Sequence, residues 1–258
     1  MKIGLIGKGT VGTAVYRGLE ELGHQMSFVD PAYPDTKFED VLDTDCVFVC
    51  VPTEQADNGD CDTSIVEKVM KDLTQAGYKG LVAIKSSVIP GTADRLSEEF
   101  SSLKICSVPE FLRAKTAYED FVYHQDLLVI GSNREEDYAI IEETHGKYPV
   151  NIARVKPVEA EVIKYFNNVN HSVQIVFANI AFEICKKLGG DYQNVYNAII
   201  KRECFNPAYL DCNENLRGFG GHCLPKDTNA WNNLIKKLNL PYNMIQATLD
   251  DNSHFTNE

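Results

Sequence analysis

The segment Gly218-Phe-Gly-Gly-His-Cys-Leu-Pro-Lys-Asp227 carries the densest chemical signal in the chain. Pro225 suits the first turn of a helix, where its missing N–H costs nothing, so the segment sets a thiol just before a helix amino end. Helix amides and the adjacent Lys226 both favour the thiolate, the form that attacks a carbonyl. Cys223 is therefore read as a nucleophile, against the plainer alternative of a buried cysteine beside a helix cap. Asp227 follows four residues later, so a helix beginning there turns its carboxylate back toward the sulfur, where it can orient water or accept a proton.

Two further groups have spacing suited to chemistry. Lys164 and Asn168 are four apart on a predicted helix and project from one face, an ammonium and an amide that can hold a developing oxyanion; a solvated helix face is the alternative. Lys85-Ser-Ser-Val-Ile-Pro-Gly-Thr92 and Pro109-Glu-Phe-Leu-Arg113 each follow a predicted strand, at the edge where ligands bind in open parallel sheets. Glu110 is there a candidate base, or else an ordinary loop carboxylate.

Near the amino end, Gly7-Lys-Gly-Thr-Val-Gly12 follows the apolar run Ile3-Gly-Leu-Ile6. Gly7, Gly9 and Gly12 allow a tight turn and a close approach of a pyrophosphate to the helix that Thr10 and Val11 open. The next strand ends in Asp30, at the distance where an acidic residue bonds a ribose 2'-hydroxyl. That carboxylate repels a 2'-phosphate, and Pro31-Ala32 offers no arginine to receive one, so the expected cofactor is NAD rather than NADP. The competing reading is a glycine turn with Asp30 as an incidental helix cap.

These groups need elements to position them. Ser27-Phe-Val-Asp30, Cys46-Val-Phe-Val-Cys50, Leu81-Val-Ala-Ile84, Lys104-Ile-Cys-Ser107, Leu127-Leu-Val-Ile130 and Val150-Asn-Ile-Ala-Arg-Val155 join Ile3–Ile6 as strands of a buried parallel sheet. Crossover helices are predicted at Val11–Leu22, Thr63–Ala76 and Thr92–Phe100. From Glu159 to about Leu188 the pattern is one helix, with a stripe at Val162, Phe166, Val169, Val173, Val176, Ile180 and Ile184. Shorter helices are expected at Gln193–Lys201, from about Pro225 and around Tyr242, with a suspected functional loop from Phe205 to Gly221. The fold class is α/β: an N-terminal Rossmann-like doubly wound parallel sheet over residues 1–155, then a smaller all-helical domain over 156–258.

With 258 residues, 44% hydrophobic and 24% charged, the chain is globular in composition, and its net charge of -12 excludes nucleic acid and anionic membrane surfaces as expected partners. No apolar run of about 18 residues is available to span a bilayer, and no secretory leader is visible. The eight cysteines, several inside apolar runs, read as small buried hydrophobes in a reducing cytoplasm, and none has the spacing of a zinc site.

Taken together, these motifs resemble the nucleotide-sugar 6-dehydrogenase family, whose best known member is UDP-glucose 6-dehydrogenase. The resemblance runs through Gly7–Gly12, Val51-Pro-Thr53 with Gly59 and Asp62-Thr-Ser64, Lys85-Ser-Ser87, Pro109–Arg113, Glu159-Ala-Glu-Val-Ile-Lys-Tyr-Phe-Asn-Asn168 and Gly218–Asp227. It implies a four-electron oxidation of a sugar primary alcohol to a carboxylate with two NAD, through an aldehyde, a thiohemiacetal and a thioester on Cys223. By the same resemblance Lys164 and Asn168 stabilise the oxyanions, Asp227 assists water and thiol, Glu110 serves thioester hydrolysis, and Ser87 replaces the usual threonine that positions water. Thr53 lines the cofactor cleft. Phe111, Leu112, Arg113, Phe219 and Gly220 supply substrate-binding backbone, and Arg202 is offered to a neighbouring subunit. A homodimer and a UDP-hexose substrate are the expected partners.

This sequence departs from the family in three places. Ala114 stands where a second glutamate is usual, the connection from Asp30 to Cys46 is short where the family usually inserts extra helices and a basic residue near the adenosine, and the chain ends without the third domain that usually covers the nucleotide. Two other functions compete with the leading one: a two-electron hydroxyacid or alcohol dehydrogenase, which needs the helix lysine but no thiol, and a catalytically idle NAD-binding assembly protein.

Overall fold

A strand whose residues are apolar at every position needs cover on both faces, and the sheet supplies it. The computed structural model describes residues 1–203, 205 and 207–255. The expectation for Cys204, and the part of the 205–221 loop at residue 206, lie outside the described residues. In chain order the first elements are β1 (Lys2–Ile6), α1 (Thr10–Glu21), β2 (Gln25–Val29), β3 (Cys46–Val49), α2 (Ser64–Gln75), β4 (Leu81–Ile84), α3 (Thr92–Glu99) and β5 (Lys104–Ser107). There follow α4 (Ala117–Tyr123), β6 (Leu127–Gly131), α5 (Glu135–His145) and β7 (Asn151–Val155). The helical region holds α6 (Pro157–Lys187), α7 (Tyr192–Ile199), α8 (Cys223–Lys237) and α9 (Met244–Ser253).

The strand order is β2-β1-β3-β4-β5-β6-β7, a Rossmann-like sheet. One apolar cluster, with Leu5, Leu19, Phe48 and Phe121, covers one face, and a second, with Val47, Met70, Leu73 and Ile84, covers the other. β3 is buried at all four positions.

The expectation of a wholly parallel sheet is corrected at one junction. β6 pairs with β5 antiparallel through Ser107 and Gly131, while β7 runs parallel to β6. The connection after β5 spends its helix on α1: Ala117, Phe121 and Val122 of α4 share a cluster with Val15 and Leu19. The chain then enters β6 from the carboxyl edge and so runs against β5. Nothing in the apolar run Leu127–Ile130 encodes that direction. Unanticipated α5 carries Glu135, Glu136 and Asp137 in its first turn, which suits a helix amino end.

The chain divides into two compact units, Met1–Glu54 with Asp62–Lys164, and Gln55–Cys61 with Tyr165–Glu258. The edge falls inside α6 rather than at residue 155, because the first turns of that helix pack on the sheet unit. Glu161 accepts from the Gly91 amide at 2.6 Å and the Ala93 amide at 2.8 Å, capping α3. Burial raises its carboxyl to about 7, although those amides pull it the other way.

In the second unit, Ala178, Phe182, Tyr192, Leu210 and Cys212 form the core. The expected single stripe on α6 is split. Val169 and Val176 are buried, whereas Phe166, Phe177, Ile180, Ile184 and Leu188 stay exposed in spacings of three, four and eleven residues. Residues 55–61 form a hairpin closed by a Gln55–Cys61 bridge. It is held on α8, where Asn233 donates to the Asn58 carbonyl at 2.8 Å and Lys237 to Asp60 at 2.7 Å. No described cysteine is in a disulfide, and among the described residues no helix is long and apolar enough to cross a membrane.

Candidate active site

The glycine turn between β1 and α1 has the form a pyrophosphate needs. Gly7 has φ +92°, and a Cβ there would lie 2.6 Å from the Cys50 carbonyl oxygen. A Cβ on Gly12 would lie 2.0 Å from the Gly7 carbonyl oxygen, so α1 can pack this closely only without a side chain. Gly9, the cap residue, faces open space, and no side chain caps the helix. The opening amides of α1, at Thr10, Val11 and Gly12, therefore have no intrahelical acceptor and present their positive end to an anion. Asp30, just past β2, accepts from the Lys8 amide at 2.6 Å and the Ala32 amide at 2.8 Å. Each oxygen retains a lone pair for a further donor such as a ribose hydroxyl. The Lys8 ammonium is turned onto the rings of Phe28 and Tyr16, at 3.5 and 3.8 Å from their centroids.

Further along the carboxyl edge, Thr53 donates to the Ser87 carbonyl at 2.8 Å, tying the segments after β3 and β4 together. Lys85 and Glu110 form a buried ion pair at 2.9 Å, and the other Glu110 oxygen accepts from the Phe111 amide at 3.0 Å. The Lys164 ammonium lies 5.4 Å from the centroid of the Phe111 ring. Arg113 turns to Asp120 instead, with Nε and Nη2 on its two oxygens at 2.9 and 2.7 Å and its own amide at 2.8 Å. That pairing lowers the Asp120 carboxyl to about 2 and fixes the Leu112–Arg113 backbone. A cavity of about 700 Å³ opens at the opposite, amino edge of this sheet, where Lys2 and Asp43 of its lining are paired with each other at 2.6 Å.

In the second unit the thiol and the carboxylate of the Cys223 segment part company. α8 begins at Cys223 itself, two residues before the expected start, with His222 as cap, and the cysteine is exposed. Asp227 is buried. Its oxygens accept from Asn168 Nδ2 at 2.6 Å and Lys226 Nζ at 2.7 Å. Burial works against the Lys226 ammonium, but attraction to Asp227, then to the Cys61 and Cys223 sulfurs, leaves it above the ordinary lysine value. Ser172 and Thr228 bond alongside at 2.8 Å, a second link between α6 and α8. Arg202, in the turn after α7, is exposed.

The loop leading to Cys223 is held by two asparagines that its own sequence does not reveal. Asn179 Oδ1 accepts from Arg217 Nε at 2.6 Å and from the Gly218 amide at 3.2 Å. Asn252 grips Phe219 at both ends, accepting from its amide at 2.7 Å and donating to its carbonyl at 2.9 Å. Phe219 is buried, and Gly220 is exposed beside it.

Residues 158–254 match the central domain of the UDP-glucose/GDP-mannose dehydrogenase family, and residues 33–148 match the NAD binding domain of the same family. The chain belongs to the UDP-glucose/GDP-mannose dehydrogenase family. It is 33% identical over 222 residues to a UDP-glucose 6-dehydrogenase of Rickettsia bellii, covering 83% of this chain and 50% of that protein. It is 31% identical over 268 residues to the GDP-mannose 6-dehydrogenase of Pseudomonas aeruginosa, covering 98% of this chain and 61% of the relative. A UDP-glucose dehydrogenase structure from Pyrobaculum islandicum superposes with a TM-score of 0.87 at 29% identity, covering 98% of this chain and 68% of the other. The chain thus spans half to three fifths of the length of these two curated relatives.

For a member of this family the cofactor is NAD, and the glycine cradle, the uncapped start of α1 and the Asp30 carboxylate fit it. Lys85, Asp120, Asn179 and Asn252 escaped the sequence reading. Lys85 and Asp120 lie in or near quoted motifs, yet nothing in their spacing names a partner. Among the described residues, no group of three or more His, Cys, Asp or Glu side chains is placed to hold a metal ion.

Proposed function

We propose that this protein oxidises the C6 primary alcohol of a nucleotide sugar, a UDP-hexose, to the carboxylate. The observation that carries the reading is an exposed thiol at the first position of α8, on the same helix as a buried Lys226–Asp227 pair that reaches Asn168. When bound, NAD supplies the hydride acceptor for the two oxidations. Cys223 adds its sulfur to the aldehyde carbon, giving a thiohemiacetal and then, after the second oxidation, a thioester. Lys164 and Asn168 hold the oxygen of the reacting carbon as it gains charge. Asp227 keeps the Asn168 amide aimed and holds the Lys226 ammonium, whose charge favours the Cys223 thiolate. Glu110 accepts a proton from the water that hydrolyses the thioester, with Ser87 positioning that water. Ala114 stands where the family's second glutamate is usual, so that carboxylate does not assist Glu110. The Phe111–Arg113 and Phe219–Gly220 backbones bind the sugar nucleotide. Cys223 speaks against a two-electron alcohol dehydrogenase, which has no use for it, and against an idle assembly protein. Incubating the protein with NAD and UDP, GDP and dTDP sugars tests the reading: two NADH per UDP-hexose support it, and no NADH with any sugar sinks it.

Asp30 is proposed to receive the adenosine ribose hydroxyls and to exclude a 2'-phosphate. NAD is expected to bind on the order of 100-fold tighter than NADP, a margin that Asp30→Ala narrows by weakening NAD. Fluorescence titration giving equal affinities for the unmodified protein would overturn the assignment.

A homodimer through α6 is also proposed. Phe166, Phe177, Ile180, Ile184 and Leu188 form a row of exposed apolar side chains, and a second copy offers the same row in return. Sedimentation at micromolar concentration should give the dimer mass. Ile180→Glu with Ile184→Glu should yield monomer, and a parent protein that is already monomeric refutes the interface together with the intersubunit role of Arg202.

A further inference from the structure

Lys85 is an unusual residue to find where it is. It follows β4 directly, its side chain has no exposure to solvent, and its ammonium lies 5.7 Å from the ring centroids of both Phe48 and Phe121. A buried ammonium is tolerated only with a compensating charge, and Glu110 at 2.9 Å provides it. The thiols and the imidazole around the pair are neutral near pH 7. Burial raises the Cys50 thiol, past the end of β3, to about 12 and pushes the thiols of Cys46 on β3 and Cys106 on β5 above their ordinary value. Burial, reinforced by Lys85, drives the His145 imidazole of α5 well below its usual range. Asp137 of α5 is paired with Arg134, and Lys164 of α6 lies over the Phe111 ring. Lys85 is therefore the cation in direct contact with Glu110.

Both oxygens of Glu110 are engaged, one by Lys85 and one by the Phe111 amide. The pair thus fixes the orientation of the carboxylate and also supplies the charge that keeps it a proton acceptor in a buried place. We propose that Lys85 is a positioning residue for thioester hydrolysis, holding Glu110 ionised and aimed for the attacking water. The proposal rests on the reading of Glu110 as the group that activates that water. In the step, the water oxygen bonds to the thioester carbon and its proton passes to Glu110. The carbon–sulfur bond breaks, the sulfur leaves as thiolate, and the proton held on Glu110 returns to it or to solvent. No oxidant or reductant enters. A Glu110 already protonated cannot take the proton, so without Lys85 the step loses its acceptor as pH falls.

The test uses the full chain labelled with 13C at the glutamate carboxyls, the Glu110 resonance being identified by its loss in Glu110→Gln. In Lys85→Met, a variant of similar volume without the cation, the midpoint of that resonance should move up by about 1 to 3 pH units relative to the parent. Carboxylate formation should fall about tenfold for each pH unit below the new midpoint and recover in alkali. Lys85→Arg, which keeps the cation, should retain the parent midpoint. An unmoved resonance in Lys85→Met overturns the proposal, as does a moved resonance with an unchanged pH–rate profile. If Lys85→Met does not fold, Lys85→Met with Glu110→Gln decides the matter: a folded double variant shows that the uncompensated carboxylate was the fault, whereas an unfolded one makes Lys85 a packing residue and overturns the proposal. A parent protein inactive toward every nucleotide sugar sinks the proposed reaction, and the step assigned here falls with it; the resonance then still reports whether Lys85 holds Glu110 ionised.

Discussion

Cys223→Ala is expected to lower carboxylate formation by on the order of a thousandfold to a millionfold, the range seen when a covalent nucleophile is removed. NAD binding should be unchanged, because the glycine cradle belongs to β1 and α1 and none of its contacts involves α8. Lys164 and Asn168 remain to stabilise an alkoxide, so the first oxidation stays chemically possible while the path to the acid is cut. Cys223→Ser should stall in the same way, since a hydroxyl has no accessible anion for a helix end to favour. The measurements are NADH released per sugar, expected to be two in the parent, and mass spectrometry of the protein trapped with substrate. If Cys223→Ala makes carboxylate at near the parent rate, and no sugar is found bound to the parent, the covalent mechanism has to be given up.

The second large effect concerns Asp227. Asp227→Ala leaves the buried Lys226 ammonium and the Asn168 amide without their recorded acceptor, and breaking a buried pair from one side costs about 3 to 5 kcal/mol. For a chain of this size that corresponds to a fall in melting temperature of about 6 to 20 °C. Asp227→Asn keeps an oxygen for Lys226 but removes the charge, and should lie between the two proteins. Replacing both partners, Lys226→Met with Asp227→Leu, should recover most of the stability, since an apolar pair of similar volume bears no desolvation penalty. Turnover should stay low in that double variant, because Asn168 is still without its carboxylate. Differential scanning calorimetry beside the NADH assay separates the two effects. A melting temperature for Asp227→Ala within about one degree of the parent would mean that water replaces the carboxylate and that this group is not structural.

Local pattern was enough for the strands and most of the helices, α4 and α5 excepted, and for much of the chemical inventory. Buried strands announce themselves by unbroken apolar runs such as Cys46–Val49, because both faces of β3 are covered and no polar residue interrupts the pattern. The glycine turn at Gly7–Gly12 and the Cys223 segment at the start of α8 were legible for a similar reason: their constraints act between residues a few positions apart.

The partners of the charged groups were not legible. Lys85 and Glu110 are 25 residues apart, Phe219 and Asn252 33 apart, and Asn168 and Asp227 59 apart. Each of these bonds depends on which strands are neighbours, where a loop returns and how helices cross, and no short-range periodicity carries that information. The reversal of β6 and the division of the α6 stripe into buried and exposed rows have the same origin. An apolar run reads alike in either direction, and a helix stripe does not say which part of it a neighbour will cover. Candidates for the chemistry could therefore be named from the sequence, though Lys85 was not among them. Which of them share a charge, and which stand open to solvent, was decided by the packing of elements distant along the chain.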